Sequence, residues 1–121
     1  AGWRGLASQL PARVVAAFRH LAASPPGELD VAIGPGIRAC CYEVSPEFEG
    51  AWCRPFVAAR DGRWSCDLAA AARAQLVACG VRSARIADSG LCTACDPQSW
   101  YSVRREGEAT GRLASFIMRR A

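Results

Sequence analysis

Arginines near both ends of the sequence are the first residues whose type and position suggest chemistry. Arg4 follows Gly2 and Trp3 in a turn that leads directly into a predicted helix. The free backbone N–H groups at a helix start favour anions, and the guanidinium fork matches the geometry of phosphate. Arg4 is therefore a candidate phosphate-binding residue. The alternative is that it pairs with a carboxylate such as Glu43 and fixes the turn.

Three more arginines, Arg104, Arg105 and Arg112, flank a predicted hairpin near the C-terminus. They can line the same cleft as Arg4, and we select Arg104 and Arg105 as further candidates for binding phosphate or substrate. The alternative is that these side chains lie on a solvated strand face, since arginine is mostly an exposed residue.

Cysteine is the other residue type that could carry chemistry. The seven cysteines cannot all pair into disulfides within one chain. Because no signal-peptide pattern accompanies them, they predict free thiols and a cytoplasmic location.

Cys92 and Cys95 form a Cys-x-x-Cys motif, which can be structural, metal-binding or redox-active. A structural zinc site requires a second such pair, and the adjacent Cys40 and Cys41 do not have that spacing. A thioredoxin-like site requires the motif to open a helix, whereas Asp96-Pro97 follows it here. The structural interpretation is therefore preferred, with the metal and redox interpretations left open.

The single histidine, His20, does not extend this set of metal donors. It lies beside Arg19 on the first predicted helix, away from the apolar stripe, where the helix dipole favours a cation in the last turn. We interpret His20 as a surface residue, and no metal ligands are assigned within the chain. Trp3 and Trp100 fit a core or a pocket wall better than a cofactor site.

Two helices have the clearest sequence signals among the elements that must position these residues. Apolar residues at steps of three or four predict a helical stripe up to about Ala23, with Ser8 as the N-cap and Pro11 in the first turn. Asp67 is expected to cap a second helix that ends at Gly80. The stripe consists of Leu6, Leu10, Val14, Phe18 and Leu21.

The other segments predict an α+β fold, with a mixed β-sheet and flanking helices. They are strands at 29–33, 37–44 and 84–87, a short helix from Pro46 to before Pro55, a turn at Asp61-Gly62, and a hairpin that pairs 100–104 with 113–118. No boundary between two domains is visible in this order of elements.

Composition and charge restrict the class of protein. The 121 residues are 51% hydrophobic and 21% charged, as in globular domains, which argues against disorder. No apolar run approaches the ~20 residues of a membrane span, so no membrane partner is expected. The net charge of +4 is modest and the arginines are scattered among acids, so no nucleic-acid partner is expected either.

A series of short motifs extends through the sequence in a fixed order. They are Ala1-Gly2-Trp3-Arg4-Gly5, Ile33-Gly34-Pro35-Gly36-Ile37, Cys40-Cys41-Tyr42-Glu43-Val44, Asp67-Leu68, Cys92-Thr93, Tyr101-Ser102-Val103-Arg104-Arg105 and Thr110-Gly111-Arg112. This series resembles the YfiH family, which is also called the laccase-domain, multicopper polyphenol oxidoreductase or purine nucleoside phosphorylase YfiH family. The resemblance covers essentially the whole chain.

The resemblance implies a layered YfiH-like architecture, of which residues 1–121 are the C-terminal part of a single domain. It implies an N-terminal part, absent from this chain, as the partner against which the chain folds. It also implies Zn²⁺, or Cu²⁺, held by two histidines and one cysteine that precede Ala1, one histidine directly so. No cofactor is then expected in this chain alone, since a catalytic zinc keeps three protein ligands and one open position.

The activity implied by the resemblance is cleavage of adenosine or inosine with phosphate, together with deamination of adenosine. The isolated chain is then expected to be inactive. Copper-dependent oxidation of polyphenols is an alternative activity. A non-catalytic structural half, which folds only against its N-terminal partner segment, is an alternative of a different class.

Overall fold

The computed structural model describes residues 2–48 and 52–118. The chain begins with two helices, α1 (Trp3–Ala7) and α2 (Leu10–Ala22). Gln9, with a left-handed φ of 58°, separates them and is the N-cap of α2, so the prediction of Ser8 as the cap was wrong. Pro11 lies in the first turn of α2, as predicted, because an N–H is not needed there.

The apolar stripe of α2 is only partly covered. Val14, Phe18 and Leu21 are 46%, 50% and 84% exposed, whereas Val15 is buried. Leu6, the first residue of the predicted stripe, belongs to α1 and is fully buried. The periodicity therefore predicted a helix correctly, but the described residues leave most of its apolar face open.

The carboxyl ends of two parallel strands organise one edge of the molecule. β1 (Val31–Ile33) pairs with β5 (Ile86–Asp88), with Val31 opposite Ile86. A bridge between Gly36 and Cys92 extends the pairing beyond both strands. The crossover between them carries the helix α3 (Leu68–Ala78), as parallel strands require a long connection.

A second, antiparallel sheet has the order β2-β4-β3. Its strands are β2 (Glu43–Val44), β3 (Val57–Arg60) and β4 (Arg63–Cys66). Asp61 and Gly62 join β3 to β4 with φ values of 52° and 74°, which confirms the predicted turn. The fold is a mixed α and β arrangement, as predicted.

Helix α3 connects the two core clusters. Near its N-terminus Leu68 and Ala71 are buried with Leu6, Tyr42, Cys53 and Cys66. Towards its C-terminus Leu76 is buried with Val15, Val81 and Ile86. Gly80, with a φ of +94°, ends the helix as predicted, because L side chains rarely adopt that conformation.

The predicted C-terminal hairpin was wrong. Residues Val103–Glu106 form a short helix, α4, and residues 107–118 contain no strand. The Glu106 carboxylate accepts the Ser102 N–H at 3.4 Å, and Gly107, with a φ of 82°, follows the helix. These local contacts stabilise a helical turn where the alternation of apolar residues had suggested a strand.

Two further predictions need correction. The segment predicted as a strand over 37–44 turns at residues 39–41, so that only Glu43–Val44 is extended. The predicted helix after Pro46 is a turn at residues 46–47, and residues 49–51 lie outside the described part of the chain. Within residues 2–48 and 52–118, no helix has the length and apolar character needed to cross a bilayer.

Removing the cap of α3 should destabilise the fold. Asp67 Oδ1 accepts the N–H of Ala70 at 2.9 Å, which satisfies one of the free donors at the helix start. Asp67→Ala is expected to lower the free energy of unfolding by about 1 kcal/mol, measured by urea unfolding of the intact protein. Asp67→Asn keeps an acceptor and should retain most of that stability. Equal losses in the two variants would show that capping is not the cause.

Candidate functional site

The site begins at the edge where β1 and β5 end, because parallel strands present their carboxyl ends on the same side. The Gly36 N–H donates to Leu91 O at 3.2 Å, and the Thr93 N–H donates to Gly36 O at 3.1 Å. These bonds bring the turn at 39–41 beside the turn at 92–95.

Arg38 ties the two segments together. Its Nη1 and Nη2 donate to the two carboxylate oxygens of Asp88 at 2.9 and 2.6 Å. Its Nε donates to Leu91 O at 3.2 Å, and Nη2 also reaches Gly34 O at 3.3 Å. Hydrogen bonding from Arg38 lowers the pKa of Asp88, although partial burial opposes this shift. Bidentate pairs of this kind fix geometry as well as charge.

Four thiols converge beside this pair. The Sγ atoms of Cys40, Cys41, Cys92 and Cys95 all lie within 4.8 Å of one another. Cys95 Sγ is 3.6 Å from Cys40 Sγ and 3.4 Å from Cys41 Sγ. Cys40 and Cys41 do not have the sequence spacing of a second Cys-x-x-Cys pair, but they lie beside Cys92 and Cys95 all the same. The conclusion drawn from that spacing was therefore wrong.

The thiols differ in their tendency to ionise. Burial opposes ionisation of Cys92, but the backbone N–H groups of Arg38, Ala94 and Cys95 donate to its sulfur, and the pKa of Cys92 is lowered to about 6. Hydrogen bonding to Cys95, followed by burial, raises the pKa of Cys41 to about 12. The cluster therefore favours a thiolate at Cys92 beside Cys40 and Cys41, whose pKa values are raised.

Arg105 holds the turn that carries Cys92 and Cys95. Its Nη1 donates to Thr93 O at 2.7 Å and to Ala94 O at 3.1 Å. Its Nη2 donates to Trp100 O at 2.7 Å and pairs with the Glu106 carboxylate at 2.5 Å. With its donors engaged in this way, Arg105 is placed as a clamp on the turn. Its role in phosphate binding stays a prediction.

Arg4 and Arg104 lie around Tyr42, which is 6% exposed. The Arg104 guanidinium lies 4.7 Å from the centroid of the Tyr42 ring, and its Nη1 donates to Glu43 O at 2.6 Å. Burial raises the pKa of Tyr42, while the positive charges of Arg104 and Arg4 oppose that rise. Two of the three candidate arginines are thus close to one buried phenol.

The suggested pairing of Arg4 with Glu43 is not formed, since Arg4 lies instead over the ring of Trp3, 5.0 Å from its centroid. Among the described residues, the ion pairs are Arg38–Asp88, Arg85–Asp30, Arg105–Glu106 and Arg112–Glu108. Arg4 and Arg104 therefore have no carboxylate partner in that part of the chain. Helix α1 has only five residues, so its dipole adds little to the attraction of Arg4 for an anion.

Two adjoining clefts open beside these groups. One, of about 750 Å³, lies between the turn at 39–41 and the β3–β4 hairpin. The other, of about 610 Å³, includes Arg104 and Pro46. Cys41, Glu43 and Trp64 line both clefts. Trp64 is thus a pocket wall that the sequence analysis did not single out.

The remaining candidates lie elsewhere. His20 is exposed in the last turn of α2, as predicted. Trp3 packs edge-on against Phe48 with ring centroids 6.0 Å apart, and Trp100 is half-buried. Arg112 donates to Thr110 O at 2.6 Å in its own turn.

These observations define a mixed α and β domain with a thiol cluster beside two clefts, one of them lined by Arg104. The sequence profile of the family described as multi-copper polyphenol oxidoreductase laccase matches residues 1–120, and the chain belongs to this family. The resemblance to the YfiH family is confirmed by this match and by the solved structures that the fold resembles.

The relatives are about twice as long as this chain. Purine nucleoside phosphorylase YlmD of Geobacillus stearothermophilus is 35% identical over 99% of the chain and 47% of its own length. Adenosine deaminase RL5, from an unknown prokaryotic organism, is 34% identical over 99% of the chain and 48% of its own length. The crystal structure of Bacillus licheniformis hypothetical protein YfiH has a TM-score of 0.75 and 28% identity, covering 88% of this chain and 43% of that one.

The described residues do not fit the catalytic metal implied by the resemblance. That metal requires two histidines and one cysteine, and His20 is the only histidine in the sequence. In residues 2–48 and 52–118, the thiols of the cluster are the one group of three or more side chains able to hold an ion. Arg4 and Arg104 can therefore be assigned only to holding an anion, and not to binding a metal.

The Arg38–Asp88 pair should make stability depend on pH. Because hydrogen bonding from Arg38 holds the pKa of Asp88 below its ordinary value of 3.8, the ionised carboxylate stabilises the fold above that pH. This contribution is lost as the pH falls through the lowered pKa. Asp88→Asn should cost about 1.5–3 kcal/mol at pH 7, with a difference from wild type that shrinks below pH ~4.

Urea unfolding of the intact protein from pH 7 to pH 3 measures this difference. Asp30→Asn is the matched control, because it breaks the exposed pair with Arg85 and should cost little. A loss in Asp88→Asn that stays the same at every pH would contradict the role given to its charge.

Proposed function

We propose that the chain is part of a metal-dependent purine nucleoside phosphorylase that cleaves adenosine or inosine with phosphate and also deaminates adenosine. The names of the relatives, purine nucleoside phosphorylase and adenosine deaminase, support the substrate class. The observation in this chain that carries the proposal is that Arg104 lies over the Tyr42 ring and Arg4 over the Trp3 ring, with no carboxylate partner for either within residues 2–48 and 52–118.

Phosphorolysis explains why such arginines are needed. A phosphate oxygen bonds to the anomeric carbon of the ribose, while the bond from that carbon to the purine nitrogen breaks. The purine leaves with the electron pair of that bond and takes up a proton. Positive charge develops on the sugar, so an anionic phosphate must be held close to it. Arg4 and Arg104 would hold it through charge-assisted hydrogen bonds.

The metal would contribute to the second activity. A Zn²⁺ ion held outside the described residues would supply an activated hydroxide for deamination of adenosine, in which the amino group leaves as ammonia. The proposal assigns its ligands to the segment that precedes Ala1, as the resemblance implies.

We further propose that the N-terminal half of the same domain covers the open face of α2. Phe18 and Leu21 are 50% and 84% exposed, and near the C-terminus Phe116, Ile117 and Met118 are 95%, 82% and 82% exposed. Apolar surface of this kind marks an interaction site. The chain spans about half the length of the relatives, 47% of YlmD, so an intact protein of their length has a segment available to cover it.

The alternatives have weaker support. Copper-dependent oxidation of polyphenols is supported by the family description, but the metal donors found together here are thiols, which do not suit Cu²⁺ as imidazoles do. A purely structural role would not use the guanidinium charges of Arg4 and Arg104, which meet no carboxylate among the residues that the structure describes. A cytoplasmic location is supported by the seven cysteines, none of which forms a disulfide in the part of the chain that the structure describes.

Replacing Arg4 tests the phosphate-binding role. In the intact enzyme, Arg4→Met should lower kcat/KM for phosphate by roughly ten- to a hundredfold, because a hydrogen bond to a charged group contributes about 1.5–3 kcal/mol. The measurement is adenosine phosphorolysis with phosphate varied. Arg85→Met, whose arginine pairs with the exposed Asp30, is the control and should leave that dependence unchanged.

A different pattern would move Arg4 out of the site. If it only anchors the turn beside Trp3, the melting temperature of Arg4→Met should fall while the folded enzyme keeps its phosphate dependence. Adenosine deamination, which uses no phosphate, provides an internal reference for the amount of active enzyme.

Replacing Phe18 tests the cover over α2. In the intact protein, Phe18→Asp should lower the free energy of unfolding by at least the 1.5–3 kcal/mol expected for a buried phenylalanine. Ala16→Asp, on the same helix but about 160° around it, is the control and should cost far less. Equal losses in the two variants, followed by thermal unfolding, would show that the Phe18 face stays open to solvent.

A further inference from the structure

We propose that Cys40, Cys41, Cys92 and Cys95 bind one Zn²⁺ through four thiolate sulfurs. The site lies where the segments that follow β1 and β5 meet, and its sulfur atoms all lie within 4.8 Å of one another. Its ligands differ from the two histidines and one cysteine that the family resemblance implies, so it would be a second and separate metal site.

The sulfur spacing fits a tetrahedral ion. A Zn–S bond of about 2.3 Å places neighbouring sulfurs about 3.8 Å apart. Cys95 Sγ lies 3.6 Å from Cys40 Sγ and 3.4 Å from Cys41 Sγ, within a few tenths of an ångström of that value. A disulfide would instead require two of the sulfurs to approach to about 2.05 Å and would leave the other two unused.

The backbone explains how adjacent cysteines can share one ion. The N–H groups of Cys41 and Tyr42 both donate to Arg38 O, at 2.9 and 2.8 Å, so the chain curls at this point. In an extended strand the side chains of neighbouring residues point to opposite faces. The turn removes that alternation, and both sulfurs reach Cys95.

The second turn has a fixed shape. The Cys95 N–H donates to Cys92 O at 3.3 Å, and the Thr93 N–H donates to Gly36 O at 3.1 Å. The Arg105 guanidinium holds the carbonyl oxygens of Thr93 and Ala94 and so fixes the curvature of this turn. Such contacts around a ligand orient it before the ion arrives.

Charge also favours an ion at this position. Four thiolates crowded together repel one another, and a divalent cation removes most of that repulsion. The complex would keep two negative charges, beside the guanidinium groups of Arg38 and Arg105. An all-sulfur tetrahedral set selects Zn²⁺ or iron, and four protein ligands make the site closed and structural. Cys40 and Cys95 are exposed, which leaves a path for the ion to enter.

The ion would fix the wall of the candidate substrate cleft. Cys41 lines both clefts, and the second of them also contains Arg104. Binding of Zn²⁺ would therefore hold the segment at 40–44 against the segment at 92–95, and with it the backbone oxygen of Glu43 that Arg104 contacts.

The test uses the intact protein, purified under reducing conditions, with zinc measured by elemental analysis. Cys92→Ser and Cys95→Ser should each retain one zinc fewer per chain than wild type. Cys79→Ser, whose thiol lies outside the cluster, is the control and should retain as much zinc as wild type. Chelation of that ion should lower the melting temperature of the wild type and leave the melting temperature of both cluster variants unchanged.

Cobalt titration of the metal-free wild type keeps the test valid if the cluster variants do not fold. One equivalent should give the intense charge-transfer and visible bands of a tetrahedral four-thiolate Co²⁺ site, which are stronger than those of a site with one thiolate. Any one of four results would overturn the proposal. They are equal zinc content in wild type and folded cluster variants, a cobalt spectrum with a single thiolate, a mass loss of about 2 Da from a disulfide, and iron in place of zinc. None of these readouts depends on phosphorolysis, so they separate this proposal from the proposed function.

Discussion

The bidentate pair between Arg38 and Asp88 is the contact on which the arrangement of the site depends. It joins residues 50 positions apart in the sequence, at the point where the paired strands β1 and β5 end. The side chains of Arg38 and Asp88 are 14% and 28% exposed, so their attraction is less screened than that of a surface pair. By also binding the carbonyl oxygens of Gly34 and Leu91, Arg38 fixes the direction in which both segments leave the sheet.

The other arginines differ in how their charge is used. Arg105 is surrounded by four oxygen acceptors, so its guanidinium holds the shape of a turn. Arg4 and Arg104 lie against aromatic rings, which attract a cation but leave hydrogen-bond donors free. Arg104 and Arg105 are neighbours in the sequence, but their partners differ. Arg104 lies over an aromatic ring, whereas the guanidinium of Arg105 holds backbone oxygens of a turn.

Caps, helix ends and tight turns depend on one or two residues, and these elements could be predicted from the sequence. Asp67 as a cap, Gly80 at a helix end and the turn at Asp61-Gly62 each follow from residue type, and each is confirmed. The C-terminal hairpin failed because the bond between Ser102 and Glu106 stabilises a helical turn, which a count of alternating apolar residues does not include.

The candidate site could be predicted only in part, because its assembly depends on contacts between distant residues. The sequence singled out Arg4 and Arg104, but their contacts with aromatic rings, and the lack of a carboxylate partner for either among the described residues, become visible only in three dimensions. The thiol cluster was missed because the spacing of Cys40 and Cys41 was judged along the chain. The usable signal was the parallel pairing of β1 with β5, which brings the residues after both strands to one edge.

Two kinds of cross-link would then act at the same edge of the molecule. The Arg38–Asp88 pair closes a loop of 50 residues, and an ion held by the thiols would close one of 55. Both links require deprotonated groups, a carboxylate in one case and thiolates in the other, so acid weakens them in the same direction. The stability of this edge, and with it the position of Cys41 and Glu43 beside Arg104, would therefore fall as the solution becomes more acidic.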